Sequence, residues 1–121
     1  MKKILVLLLV LVMGLSTLTA CGKKSGGTKV GVSMPTKDLQ RWNQDGDNMK
    51  QKLEEAGYVV DLQYASNQVE TQVSQIENMI SSGCKVLVIA SIEGDSLGTV
   101  LEQAKEKGIK VIAYDRLIMN S

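Results

Sequence analysis

From Lys29 onward the apolar residues alternate between two periods, and that alternation restricts the chain to one class of fold. Lys29-Val30-Gly31-Val32-Ser33-Met34 is a short apolar run followed by the turn chemistry of Pro35-Thr36-Lys37, and it predicts a first strand. Leu39, Trp42, Gly46, Met49, Leu53 and Ala56 then recur at spacings of three and four, the stripe of an amphipathic helix stopped by Gly57. Tyr58 to Tyr64 alternates as a second strand. Val69, Val73, Ile76 and Ile80 form a second helical stripe that ends around Gly83. Val86-Leu87-Val88-Ile89-Ala90 has no polar member, as expected of a strand covered on both faces. Leu97, Val100, Leu101 and Ala104 mark a third helix closed by Gly108, and Ile109 to Tyr114 supplies a fourth strand.

The order is β-α-β-α-β-α-β. Strands separated by single helices imply right-handed crossovers, so the expected fold class is α/β: a parallel sheet with helices on both faces. Gly57, Gly83 and Gly108 each stand just before a strand and support the boundaries. Ligands of such sheets bind beyond the carboxyl ends of the strands, near the reversal of strand order. Those ends are Met34 to Arg41, Ala65 to Gln68, Ser91 to Asp95, and Asp115-Arg116.

The amino terminus follows a different logic. Met1-Lys2-Lys3 is a positive n-region, and Ile4 to Leu15 is almost unbroken Leu, Val and Ile. Twelve helical residues cover about 18 Å, short of the roughly 30 Å hydrocarbon core, so residues 1–20 read as a signal peptide rather than a spanning anchor. Leu18-Thr19-Ala20-Cys21 resembles the bacterial lipobox. That resemblance implies cleavage before Cys21 and diacylglycerol on its sulfur, which would hold the protein at the outer face of the cytoplasmic membrane. The alternative is an ordinary signal peptide whose cleavage falls near a cysteine. Residues 21–28 then form a lipidated cysteine and a small, polar, glycine-rich tether.

Composition narrows the chemistry. Removing residues 1–20 leaves 101 of 121 residues, one domain at most. Lys2 and Lys3 leave with them, so the 14 basic residues become 12 against 13 acidic ones, and nothing suggests nucleic acid as a partner. There is no histidine, which removes imidazole-based triads and most zinc sites. Asp45 and Asp47 diverge on a helix and make no shared metal site. Of the two cysteines, Cys84 precedes an apolar run and reads as a small buried thiol, and a bridge to Cys21 would compete with lipidation. The first loop has no G-x-G-x-x-G, and no P-loop occurs, so neither a dinucleotide nor another phosphate cofactor is indicated. A receiver-type domain would want an aspartate where this chain has Ala90-Ser91. With no nucleophile in a sharp strand-to-helix turn, the chain does not read as an enzyme.

The loops suit a neutral, hydroxyl-rich ligand instead. Lys37, Arg41 and Arg116 supply N–H donors, Asp115 an acceptor, and Trp42 a flat apolar face. Sugar hydroxyls both donate and accept, and charged planar groups can grip neighbouring pairs of them while pyranose C–H faces stack on an aromatic ring.

Val30-Gly31-Val32-Ser33-Met34-Pro35-Thr36-Lys37, Arg41-Trp42, Ser74-Gln75-Ile76-Glu77-Asn78-Met79-Ile80, Val86-Leu87-Val88-Ile89-Ala90 and Ile112-Ala113-Tyr114-Asp115-Arg116-Leu117-Ile118 resemble the type I periplasmic sugar-binding proteins of ABC importers. The likeness is to their xylose-binding and multiple-monosaccharide-binding branch. It implies that residues 29–121 are the amino-terminal lobe of a two-lobed protein. Such a protein closes on a monosaccharide, xylose or a similar aldose, and presents it to a membrane permease. By position it implies Arg41, Asp115 and Arg116 as sugar hydrogen-bonding residues, Trp42 as a pocket wall and Lys37 as a contact. A sugar-sensing component that signals to a membrane histidine kinase is the alternative role.

Plainer roles compete for each residue. Trp42 shares its stripe with Leu39 and Met49, which fits core packing. Arg41 could pair with Asp38 or Asp45, and Asp115-Arg116 could be a strand-end turn with a local ion pair. Gln75, Glu77 and Asn78 sit mid-helix, where packing or capping is expected. The charged residues from Lys50 to Glu55 and from Glu102 to Lys107 read as solvated helix faces.

Overall fold

The computed structural model describes residues 27–119. The expected signal peptide over 1–20, Cys21 and most of the tether lie outside the described residues. The chain runs β1 (Lys29–Met34), α1 (Gln40–Glu55), β2 (Val59–Tyr64), α2 (Val69–Ser81), β3 (Val86–Ile89), α3 (Gly98–Glu106) and β4 (Lys110–Ala113). All pairings are parallel and the strand order is β2-β1-β3-β4. This is the α/β architecture expected from the alternating periods.

Alternation along each strand divides the core in two. Val30, Val32 and Met34 of β1 and Val88 of β3 face α1, where they bury Trp42 and pack against Met49 and Leu53. Leu87 and Ile89 point the other way, into a cluster with Ile76, Met79 and Ile80 of α2 and Val100, Leu101 and Ala104 of α3. Gly31 lies on that second face because nothing larger fits: a Cβ there would stand 2.6 Å from Met79 Sδ and 2.9 Å from Leu87 Cδ2. Cys84 is buried in the second cluster, as its sequence context suggests.

The helix-to-strand turns rest on glycine. Gly57, Gly83 and Gly108 have φ of +97°, +92° and +70°, a region that side chains disfavour. Boundaries shift slightly from expectation: β2 opens at Val59 and β4 at Lys110, while Gly83 stands three residues before β3. Leu39 and Ala56 do not belong to the buried stripe of α1. They cap its ends, and Leu39 has extended backbone (φ −101°, ψ 122°), so helical spacing no longer governs its direction and it is 56% exposed.

β4 is an outer strand of the described sheet, as β2 is on the other side. Its four residues are all exposed, since α1 does not reach across to cover Ile112 and only α3 flanks its other face. No described helix is long and apolar enough to cross a membrane.

Candidate carbohydrate-binding edge

β1 is followed by β2 on one side and by β3 on the other, so the order of strands reverses between β1 and β3. The loops after β1, β3 and β4 meet at that edge. Thr36 is buried and its Oγ1 accepts the Asp38 N–H at 3.1 Å. Asn43 Nδ2 donates to the carbonyls of Lys37 at 2.5 Å and Leu39 at 3.2 Å, tying the loop to the first turn of α1. No side chain caps α1 at Leu39, α2 at Gln68 or α3 at Leu97. All three amino termini follow strand carboxyl ends, the side of the sheet on which ligands of this architecture bind.

Across the edge, Tyr114 N–H donates to the Ile89 carbonyl at 2.8 Å and continues the β3 pairing one step beyond the strand. Arg116 N–H then donates to the Tyr114 carbonyl at 2.7 Å, closing a three-residue turn around Asp115, whose φ is +63°. A non-glycine residue at positive φ in such a turn is uncommon, and conformations of this kind collect at functional sites.

The turn brings the predicted residues together. Arg41 Nη2 donates to Asp115 Oδ1, and Arg41 Nε lies 3.7 Å from Asp45 Oδ2. The hydrogen bond to Asp115, outweighing partial desolvation, raises the Arg41 pKa above its ordinary value. Arg41 therefore pairs with Asp45 rather than Asp38, and the partner of Asp115 is remote in sequence rather than local. Burial first, and then a hydrogen bond with the Asp45 carboxylate, raise the Tyr114 hydroxyl above its ordinary value.

Trp42 is only 2% exposed, so the core-packing role is real. Its ring also meets both cations: Arg41 Cζ lies 4.7 Å and Arg116 Cζ 5.5 Å from the centroid. Arg116 Nη1 is fixed by the carbonyls of Ser91 at 3.1 Å and Ile92 at 3.3 Å. Lys37 joins a different group. Its Nζ sits 5.2 Å from the Tyr64 ring centroid, in a polar hollow of about 660 Å³ that also involves Asn43, Asp47, Lys50 and Gln75. A second hollow, about 590 Å³ and mostly apolar, runs between α3 and β4 and contains none of these residues.

Gln75 has the structural role expected mid-helix, donating from Nε2 to the Tyr64 carbonyl at 3.0 Å, while Glu77 and Asn78 are exposed. Sequence reasoning passed over Gln72. It is fully buried and reaches β1, the end of β3 and the following loop at once. The available signal was a polar residue standing at stripe spacing between Val69 and Ile76. No described group of acidic or thiol side chains could hold a metal ion.

Residues 30–121 match the periplasmic binding protein domain. The chain belongs to this family. It is 47% identical over 121 residues to the multiple sugar-binding periplasmic receptor ChvE of Rhizobium radiobacter, covering 100% of this chain and 34% of that protein. It is 47% identical over 90 residues to the D-xylose-binding periplasmic protein of Escherichia coli, covering 74% of this chain and 27% of that one. A solved ABC transporter solute-binding protein from Clostridium phytofermentans with bound β-D-glucose is 82% identical, with a TM-score of 0.77, over 78% of this chain and 29% of the other. This periplasmic binding protein domain thus spans between a quarter and about a third of the length of these relatives, and it has their α/β fold.

Proposed function

We propose that the carboxyl edge of this sheet forms one wall of a monosaccharide site in a solute-binding protein of an ABC importer. The observation that carries the reading is the convergence of the first turn of α1 and the turn after β4, where Arg41 and Arg116 meet the Trp42 ring and Asp115 pairs with Arg41. Asp115 accepts from sugar hydroxyls and the guanidinium groups donate to adjacent pairs, which are charge-assisted bonds. The indole supplies an apolar wall beneath them. Lys37 stands apart from this group, with its ammonium over the Tyr64 ring, and would reach the sugar only by turning away from that ring.

In the free protein Arg41 and Asp115 satisfy one another. An entering aldose exchanges this partly exposed pair for bonds of similar kind, so little is lost on binding. Closure of a second lobe over the sugar then couples capture to delivery at a permease. Xylose and glucose are the favoured aldoses, because relatives at 47% and 82% identity are described with them. Lipid on Cys21 keeps the protein at the outer face of the membrane, and the lipobox-like Leu18-Thr19-Ala20-Cys21 supports that anchor.

A pentose and hexose panel titrated against the emission of Trp42, the one tryptophan of the chain, tests the reading. A saturable change with an aldose supports it, and flat traces for every sugar count against it. Handover to a membrane sensor is the second reading, favoured by the relative described as a receptor. Pull-down with a permease supports import, and with a histidine kinase supports sensing.

A further inference from the structure

We infer that Gln72 is a positioning residue for the sugar site, acting on Arg116 through the loop after β3. Its carboxamide is fully buried and uses both ends. Nε2 donates to Ser33 Oγ and to the Ala90 carbonyl, each at 3.0 Å, and Oε1 accepts the Ile92 N–H at 3.0 Å. The bonds at Ala90 and Ile92 bracket Ser91 and fix the direction of the peptide groups on either side of it. The carbonyls of Ser91 and Ile92 are the acceptors of Arg116 Nη1, and Arg116 in turn lies against Trp42. Gln72 thus stands at the start of a chain of contacts that runs from the core of the α2 face to the binding edge.

The start of the loop is held by this side chain, while its later part is held by Met119 N–H on the Gly94 carbonyl and by Ser96 on the Glu93 carbonyl. Residues 91–97 carry no strand pairing, and α3 has no side-chain cap at Leu97. Ser91 Oγ is buried with no hydrogen-bond partner in the protein, so the Ser91 side chain gives the segment no polar anchor of its own. An apolar residue at 72 would leave the Ile92 N–H and the Ala90 carbonyl unpaired, and buried groups left in that state drive rearrangement. The segment would turn to find water, and the two carbonyls would leave Arg116.

This inference rests on the proposed function only where sugar affinity is concerned. Its direct test uses the free protein. In Arg116→Ala, Trp42 loses one covering guanidinium, so its emission shifts to the red and acrylamide quenches it more strongly. Gln72→Leu is expected to reproduce that signature, and the double variant to add nothing further. Ser33→Ala, which removes only the bond at the β1 end, is expected to lower the melting temperature and leave quenching at the wild-type level. Should Gln72→Leu fail to fold, Gln72→Met, of similar length and without the amide, takes its place. Wild-type quenching in folded Gln72→Leu or Gln72→Met, beside a clear rise in Arg116→Ala, overturns the inference; so does full additivity in the double variant. Where an aldose binds, Gln72→Leu lowers affinity about tenfold. If no sugar binds but the quenching pattern holds, the proposed function fails and the positioning role stands.

Discussion

Arg41 and Asp115 stand 74 residues apart in the chain, yet the guanidinium of one donates directly to the carboxylate of the other. One side chain comes from the first turn of α1 and the other from the turn after β4. Their meeting is a product of the strand order, because β3 alone separates β1 from β4. Each residue is thereby the readiest reporter of the other.

Asp115→Ala removes the acceptor and frees Arg41 to swing toward Asp45. Sugar affinity is expected to fall by about 2 kcal/mol, since a sugar hydroxyl and a guanidinium both lose a partner. Arg41→Ala weakens binding in the same direction. Calorimetric titration checks both, and the melting temperature separates a binding loss from misfolding.

Alkaline pH is expected to destabilise the fold in stages. Burial raises the Cys84 thiol above its ordinary 9.0. The folded state then keeps a proton that the unfolded chain releases, so stability is complete below about pH 9 and falls as pH rises through the folded value. Tyr64 and Tyr114, raised from 10.0 chiefly by burial, extend the decline further. Urea midpoints on either side of pH 9 measure the slope, and Cys84→Ala should flatten its first part.

Gly57→Ala isolates backbone strain from crowding. A Cβ at this position meets nothing within 4 Å, but φ is +97°. The variant should lose about 1–2 kcal/mol of stability, read by chemical denaturation, with sugar binding intact.

Cys21→Ser tests the anchor. In cells fed a fatty-acid analogue, the wild-type chain is expected to take up label and partition with membranes. The serine variant should do neither, because the thioether cannot form.

Much of this arrangement was legible in the residues. Periodicity placed all seven elements, since strands buried on both faces and one-sided helices leave unlike patterns, as Val86–Ile89 and Val69–Ser81 do. Helix ends were less legible: Leu39 keeps the spacing of a stripe while its backbone is extended, and spacing carries no information on φ and ψ. Chemical type and loop position nominated Arg41, Trp42, Asp115 and Arg116. Their mutual contacts depend on strand order, which no local pattern encodes. Gln72 is marked in the sequence only by its polarity at stripe spacing, because its three partners are backbone and hydroxyl groups of other elements. Lys37 was grouped with the others by loop alone, whereas its side chain turns toward Tyr64.

The claim that everything else depends on is that this edge recognises an aldose, and NMR titration of the isotope-labelled chain with D-glucose and D-xylose reads it even when affinity is millimolar. The account predicts shifts at the Trp42 indole N–H and the Arg41 and Arg116 guanidinium N–H signals, and their loss in Asp115→Ala. Unmoved signals there, or shifts confined to the apolar hollow between α3 and β4, would contradict it.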